Sequence, residues 1–544
     1  MKNINGRLVM KRLVKLSAGL LAIMLMASLA ACGTTAPSAP TSAAPAEAAA
    51  STTAPTTAAP ASTTSATDTS ESAAPASPAL SPVTLTYYVP EMNTITNLQP
   101  AQDAINVALK EKINATLDMH IISYGDYAQK MNVTLAAGTP VDIMWSAYSM
   151  AGFTYNTLAA SGAFVDSGAL FQQYAPKTWA SLEPYWDGMK VNGKIYGMPN
   201  EMMWAQESGF QINQKYADQV GFTDEADKII NIADIEPYLA KVKSDCPGVT
   251  PLALKGNSGL LSMYAAEPSM GLWNINQYGC IKDGDASLSV LSFFESQEFM
   301  DRCALAHKWY GLGYINKDAA TLTDVTPLQP QSFAIYSPTH INCGIEKMES
   351  KQQPWGGPFF FTAASETFMP ANAPQTSAQC IGSNSKNPER AAMFLELTHS
   401  DPDFIHLFCY GVEGVNYTVS DDGIYMTPIK DSGYGLSDWL NINCHMKLLA
   451  VGQQPDAIQK EIDANNSAAK PGFFGFVYDP TKEKDDIANA AAVVTQYLPG
   501  LITGTVDPAS TIPTFVDKLK AAGLDKIIAD TQDQINAWRT ANGK

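Results

Sequence analysis

Basic residues are scarce in this chain: 35 Lys and Arg stand against 53 Asp and Glu over 544 residues, a formal net charge of −18. A surface of that sign offers nothing to the phosphates of nucleic acid and no electrostatic adhesion to anionic lipid. Cysteine is also sparse and unpatterned. Setting aside Cys32 of the eight, Cys246, Cys280, Cys303, Cys343, Cys380, Cys409 and Cys444 are widely scattered, odd in number and free of any C-x-x-C pair. Neither a zinc site nor a disulfide framework is signalled, and buried free thiols are expected. Beyond the N-terminus no run of about 18 apolar residues occurs, so nothing further along reads as a membrane span. Phosphate-binding, nucleophile-elbow, zincin and dinucleotide motifs are all missing. The six histidines (His120, His307, His340, His399, His406 and His445) form no i, i+4 ligand pair. No metal site and no cofactor are therefore expected. Carboxylates are plentiful, and a glycosidase pair needs proximity in space rather than a motif, so that chemistry stays open. Asp283-Gly284-Asp285 and Asp421-Asp422-Gly423 read as turns.

What is present begins with an address. Lys2, Arg7, Lys11, Arg12 and Lys15 precede an apolar run from Leu16 to Leu29, which is the layout of a secretory signal. The run closes on Leu29-Ala30-Ala31-Cys32-Gly33, similar to the lipobox of bacterial lipoproteins, in which the Cys becomes the acylated first residue. A plain signal with an incidental Cys is the blander alternative. From Gly33 to Pro82, 45 of 50 residues are Ala, Ser, Thr or Pro, too little apolar surface to offset the entropy of ordering. Residues 32–82 are expected to be a lipidated, disordered tether; a mucin-like stalk fits the same composition. Without the leader and tether, the body carries 30 basic against 50 acidic residues, a net −20. The acidity belongs to the folded part.

The body opens in alternation. Val83 to Val89 reads as a strand ending at Pro90, Pro100 to Ile113 as a helix, and Leu117 to Ile122 as a strand. Tyr127 to Ala137 follows as a helix and Val141 to Trp145 as a third strand. This pattern implies a parallel α/β sheet, whose ligands sit outside the carboxyl ends of the strands. Those ends carry Glu91 and Asn93, then Ser123-Tyr124, then Trp145, Ser146 and Tyr148. Later, Asn387-Pro388 reads as a helix start. A short helix containing Phe515 and Leu519 closes at Gly523. The stripe Leu524, Ile527, Ile528, Ile535 and Trp538 marks a last amphipathic helix. Trp145, Tyr148, Trp204, Trp273, Tyr336, Trp355 and Tyr417 lie beside Gly, Ser, Asn or Glu. Such aromatics suit the apolar face of a sugar ring, although each taken alone suits core packing better.

Residues 83–544 resemble a known family. Gly125-Asp126-Tyr127, Val141-Asp142-Ile143-Met144-Trp145 and Asn192-Gly193-Lys194-Ile195-Tyr196-Gly197-Met198-Pro199 are similar to segments of many extracellular solute-binding lipoproteins of ABC importers. Ser385-Lys386-Asn387-Pro388-Glu389-Arg390-Ala391, Tyr410 to Tyr417, Gly475 to Pro480, Gly504 to Pro508 and Ala521 to Lys526 narrow the resemblance. They look like the Gram-positive group associated with oligosaccharide or aldouronate uptake. The chain departs from that pattern at Val415-Asn416, where a basic residue or His is usual.

The resemblance implies a two-lobed, type II periplasmic-binding-protein-like α/β fold with an interlobe cleft and a C-terminal helical extension. On this reading, residues 83–200 and about 331–378 form lobe 1, and about 201–330 with 379–544 form lobe 2. Crossings are expected near Met198 to Glu201, Phe333 to Ser337 and Met369 to Gly382. The ligand set is Glu91, Asn93, Trp145, Ser146, Tyr148, Glu201, Trp204, Trp273, Tyr336, Trp355, Glu413 and Tyr417. Glu413 also suits a role capping loop amides, and Asp187, Asp479 and Asp507 read as turn or cap residues. Partners would be a small-molecule oligosaccharide, permease subunits and the membrane through Cys32 alone, with no nucleic acid and a monomeric state. The location implied is the outer face of the cytoplasmic membrane, at a Gram-positive cell surface. Two other functions stay open: an exported carbohydrate-active enzyme and a receptor for peptide or another non-sugar solute.

Overall fold

The computed structural model describes residues 80–150, 152–222, 231–256, 258–261, 267–322, 333–341, 347–348 and 358–543. The leader, Cys32, nearly all of the tether, Cys343 and Trp355 lie outside the described residues.

The chain starts with β1 (Val83–Glu91), α1 (Gln99–Ile113), β2 (Ala115–Ser123), α2 (Tyr124–Ala136), β3 (Ile143–Ser146) and β4 (Gly197–Pro199). Next come β5 (Glu207–Asn213), α3 (Glu236–Asp245), β6 (Thr250–Ala253), β7 (Leu272–Asn274), β8 (Gly279–Lys282), β9 (Leu291–Ser292) and α4 (Gln297–Gly311). β10 (Phe333–Ile341), β11 (Lys347–Met348), β12 (Phe359–Ala363), β13 (Ala378–Ile381), α5 (Pro388–Ser400), α6 (Pro402–Tyr410) and α7 (Ala457–Ser467) follow. α8 (Lys484–Ile502), α9 (Pro508–Ala521) and α10 (Leu524–Asn542) end the chain.

The first five elements follow the expected alternation. α1 buries Ala101, Ile105, Leu109 and Ile113, one residue per turn, and stops where Asn114 takes the left-handed conformation. β1 runs on through Pro90 to Glu91. Proline is tolerated there because β3 pairs with β1 only at Tyr87 and Tyr88, so the ladder on that side has already ended. Asn387 holds the N-cap position of α5 but makes no side-chain cap; its amide lies 3.4 Å from Asp142 instead.

Two five-stranded sheets organise the body. The first has the order β2-β1-β3-β13-β4 and the second β11-β12-β5-β10-β6. β1, β2 and β3 are parallel, while β13 enters antiparallel between β3 and β4. This topology corrects the expected lobe boundaries. β10 and β12 pair with β5 in the second sheet, so 331–378 is not a return into lobe 1. Residues 388–474 share the core of the first sheet, and α8 to α10 pack with Phe293, Phe294 and Phe299 on the other side. An apolar run such as Phe333-Ala334-Ile335 announces a strand without saying which sheet will pair with it.

The chain crosses between the two halves three times: 200–206, 364–377 and 468–483. The crossings satisfy one another. Gln206 and Phe368 exchange backbone hydrogen bonds of 2.8 and 2.9 Å, and Ala469 bonds Met369 and Thr367 at 2.8 and 3.1 Å. Side chains add to this. Asn465 Oδ1 accepts from the amides of Trp204 and Ala205 at 2.9 and 2.8 Å, and its Nδ2 donates to Met202 O. Asn200 donates to Ser377 Oγ at 2.9 Å, and its Oδ1 is 3.1 Å from His399 Nε2. The six described cysteines of the body are buried free thiols, as their apolar neighbours suggest. Among the described residues no helix is long and apolar enough to cross a membrane.

Two outcomes test this packing. Gly504 sits at φ +74° after α8, where a Cβ would strike the Ala306 carbonyl of α4. Gly504→Ala should destabilise by about 2–3 kcal/mol in urea titration. Burial also pushes the His399 imidazole down to about 4, whereas in an unfolded chain it titrates near 6.5. Between these values the unfolded state binds a proton that the fold refuses, so stability falls as pH drops from about 6.5 toward 4. His399→Gln should flatten that fall by on the order of 3 kcal/mol, measured as the pH dependence of unfolding.

Candidate functional site

A cavity of about 2210 Å³ lies between the two sheets, at least twice the roughly 300–1,000 Å³ of an ordinary small-molecule pocket. Its floor is the crossing bundle, with Met202, Trp204, Gln206, Phe368 and Asn372. Tyr148, Asn156 and Asn192 line it from the first sheet's side. Trp273 and Asn274 of β7, in the three-stranded sheet β9-β8-β7, face them with Glu267 and Asn276 beside it, and Tyr478, Asp479, Gln534 and Trp538 close the C-terminal side.

The floor is polar and partly unsatisfied. Trp204 is 2% exposed, held by Asn465 behind it and edge-on to Tyr185 at 4.7 Å. Yet its indole Nε1 has no hydrogen-bond partner among the described residues. Gln206 Oε1 and Asn274 Oδ1 are likewise buried and unpaired. Buried polar groups are normally satisfied, and each orphan costs about 1–3 kcal/mol. One donor and two acceptors on residues that line the cavity are thus left unsatisfied. Trp273 is fixed differently: its Nε1 donates to Asp283 at 2.7 Å, and its ring meets Phe368 edge-on at 6.2 Å.

Charge is nearly balanced here despite the acidic body. Lys190, Glu267 and Asp479 are the charged groups among the described lining residues, against nine Asn or Gln. Glu267 is buried, accepts the Ser208 hydroxyl, and has Arg302 at 3.7 Å. Asp479 accepts from the amide and hydroxyl of Thr481 at 3.0 and 2.6 Å, the turn role expected of it. Asp507 likewise caps α9.

Of the expected ligand set, the cavity gathers Tyr148, Trp204 and Trp273. The others go elsewhere for identifiable reasons. The segment around Ser437 and Trp439 covers the carboxyl end of β1. Glu91 accepts the Ser437 amide and hydroxyl at 2.9 and 2.7 Å, and also binds the amides of Met92 and Asn93. Asn93 is exposed outside the cavity lining. Trp145 is fully buried against Trp439, with Nε1 donating to Ser377 at 2.7 Å. Ser146 donates to Phe153 O. Glu201 accepts from Ser181 and Asn443 at 3.2 and 2.7 Å, and burial raises its pKa; it braces the first crossing. Glu413 is exposed and Tyr417 buried, both outside the cavity lining. Capping in that loop falls to Asn416, which accepts the Val412 amide at 2.8 Å. Tyr336 lies in β10, in register with Gln211 and Ala253. Sequence reasoning missed Asn274, Asn276, Gln206 and Tyr478. Asn274 and Gln206 carry a usable signal, since each lies within two residues of a selected Trp.

Four likenesses place this geometry. Residues 472–540 match a family described as a domain of unknown function (DUF3502). A carbohydrate ABC transporter substrate-binding protein of Streptococcus pneumoniae serotype 4 is 26% identical over 456 residues, covering 81% of this chain and 88% of that protein. The crystal structure of the N-glycan transport solute binding protein NgtS of Streptococcus pneumoniae matches with TM-score 0.71 at 24% identity, over 85% of this chain and 100% of that one. An extracellular solute-binding protein from Bifidobacterium longum subsp. infantis matches at TM-score 0.57 and 16% identity, over 84% and 98%. The resemblance read from residues 83–544 is borne out, and the chain has the two-lobed α/β fold of extracellular solute-binding proteins.

Proposed function

We propose that this chain is the substrate-binding protein of an ABC importer, exported and held by lipid on Cys32. It captures a neutral oligosaccharide in the interlobe cavity and presents it to the permease. The observation that carries the reading is the lining: Trp204, Gln206 and Asn274 border the cavity, and Trp204 Nε1, Gln206 Oε1 and Asn274 Oδ1 are buried with no hydrogen-bond partner among the described residues. Sugar hydroxyls both donate and accept, so they match this mixed set. The relative named as a carbohydrate substrate-binding protein supports the same class, as do the complexes of NgtS with Man1GlcNAc and Man5GlcNAc.

The near-balanced lining favours a neutral ligand over a cationic peptide. A hydrolytic reading lacks support, because Glu267 is engaged by Ser208 and Arg302 and Asp479 by Thr481. A ligand touching both halves would favour their approach by its differential affinity for the closed form. The leader and the Cys32 motif support the anchor; the tether would hold the body off the bilayer.

Purified protein lacking residues 1–32 should be melted against neutral mono- and oligosaccharides, including Man1GlcNAc and Man5GlcNAc, and against cationic peptides. A sugar at 100 times its Kd should stabilise the fold by about 2.7 kcal/mol. Stabilisation by peptides alone, or release of new reducing ends, would sink the proposal. In a bound sugar series, Trp204→Phe should weaken affinity about tenfold by calorimetry, the loss of one buried hydrogen bond.

A further inference from the structure

The matched C-terminal segment 472–540 has no described function, yet it walls one side of the cavity. We infer that this segment is a saccharide subsite whose stacking platform is Trp538, and that it selects for ligand length. The inference rests on the carbohydrate reading above and specifies where the far end of the chain lies.

The wall is built rather than incidental. Gln534, Trp538 and Asn542 are spaced four apart on α10, so they share one face of the helix, and all three line the cavity. Trp538 is only half-buried and rests edge-on against Phe476 at 6.1 Å. The facing loop is clamped to the same helix. Asp479 N donates to Gln534 Oε1 at 2.9 Å, and Gln534 Nε2 returns to Asp479 O at 2.9 Å. Tyr478 Oη donates to the buried Asp530 at 3.1 Å, while Lys482 pairs with Asp530 at 2.7 Å. From the loop between β7 and β8, Asn276 Nδ2 donates to Thr531 Oγ1 at 2.8 Å.

An aromatic ring and amides held in place before binding lose little freedom when a sugar arrives. On this proposal a short ligand occupies the floor, carried by the first crossing, without reaching Trp538 on α10, although Phe368, Trp273 and Trp538 belong to one apolar cluster. The cavity is large enough for a longer one to reach both.

The test uses Trp538→Leu, which keeps apolar bulk against Phe476 but removes the flat ring, alongside Trp538→Phe, which keeps a ring. Affinity is measured by calorimetry for Man1GlcNAc and Man5GlcNAc, with melting of each unliganded variant as the folding control. The expected result is about a tenfold loss (1.4 kcal/mol) for Man5GlcNAc in the Leu variant. Man1GlcNAc should change less than about twofold, and the Phe variant should recover most of the loss. Equal losses for both glycans, or no loss for either, overturns the subsite. A wild type that binds neither glycan overturns it too; only a wild type that binds no sugar of any kind also removes the carbohydrate reading.

Discussion

Three segments that cross between two sheets create the constraint on which the rest of this structure depends. A crossing strand leaves its own sheet, so its backbone amides and carbonyls must find partners elsewhere or pay the cost of burial unpaired. Here the three crossings supply each other, through Gln206 with Phe368 and Thr367 and Met369 with Ala469. That solution fixes the cavity floor as a by-product. Trp204 and Gln206 sit on the first crossing and Phe368 on the second. Asn465, at the end of α7 before the third crossing, holds the first by its side chain. The same bonds that connect the halves therefore aim the groups that face the cavity.

A second consequence concerns charge. The body's acidic excess is spread over structural duties and the surface, and little of it reaches the cavity. Glu91 ties the end of β1 to Ser437, Glu201 ties the first crossing to Asn443, and Asp142 accepts from Thr86 and Ser385. Glu267 does reach the cavity wall, but with Arg302 beside it. Net charge thus reports on solubility and on the partners excluded, while the lining decides the ligand.

This explains what could be read from the sequence. The alternation β1-α1-β2-α2-β3 was legible because each element has its own period and its own breaker residues. So were the N-cap at Asp507 and the helix break at Gly523. The lobe boundaries were not, because pairing of β10 and β12 with β5 depends on partners more than a hundred residues away. Among the site residues, Glu91 and Trp145 were sensible choices for an open sheet end. They failed because residues near Ser437 and Trp439, far along the chain, cover that end. Trp204 and Trp273, chosen because an aromatic beside polar loop residues is a local signal, do line the cavity. Trp538 was legible only as part of an apolar stripe, since helical periodicity cannot tell a core face from a cavity face.

The floor and the walls then divide the work of recognition. An apolar ligand filling this cavity would leave Trp204 Nε1, Gln206 Oε1 and Asn274 Oδ1 unpaired, and each would keep its penalty in the complex. On the proposed reading, a hydroxylated ligand is the kind of molecule that could relieve such orphans once the side chains turn toward it. Rejection of the wrong chemistry is therefore stronger than the gain from the right one, which is how buried polar groups discriminate. Aromatic faces act the other way: on the same proposal the half-buried Trp538 would accept any flat apolar surface and add affinity when its ring is covered. On the proposed reading, polar groups of the lining would set the kind of molecule, and Trp538 how much of it is held.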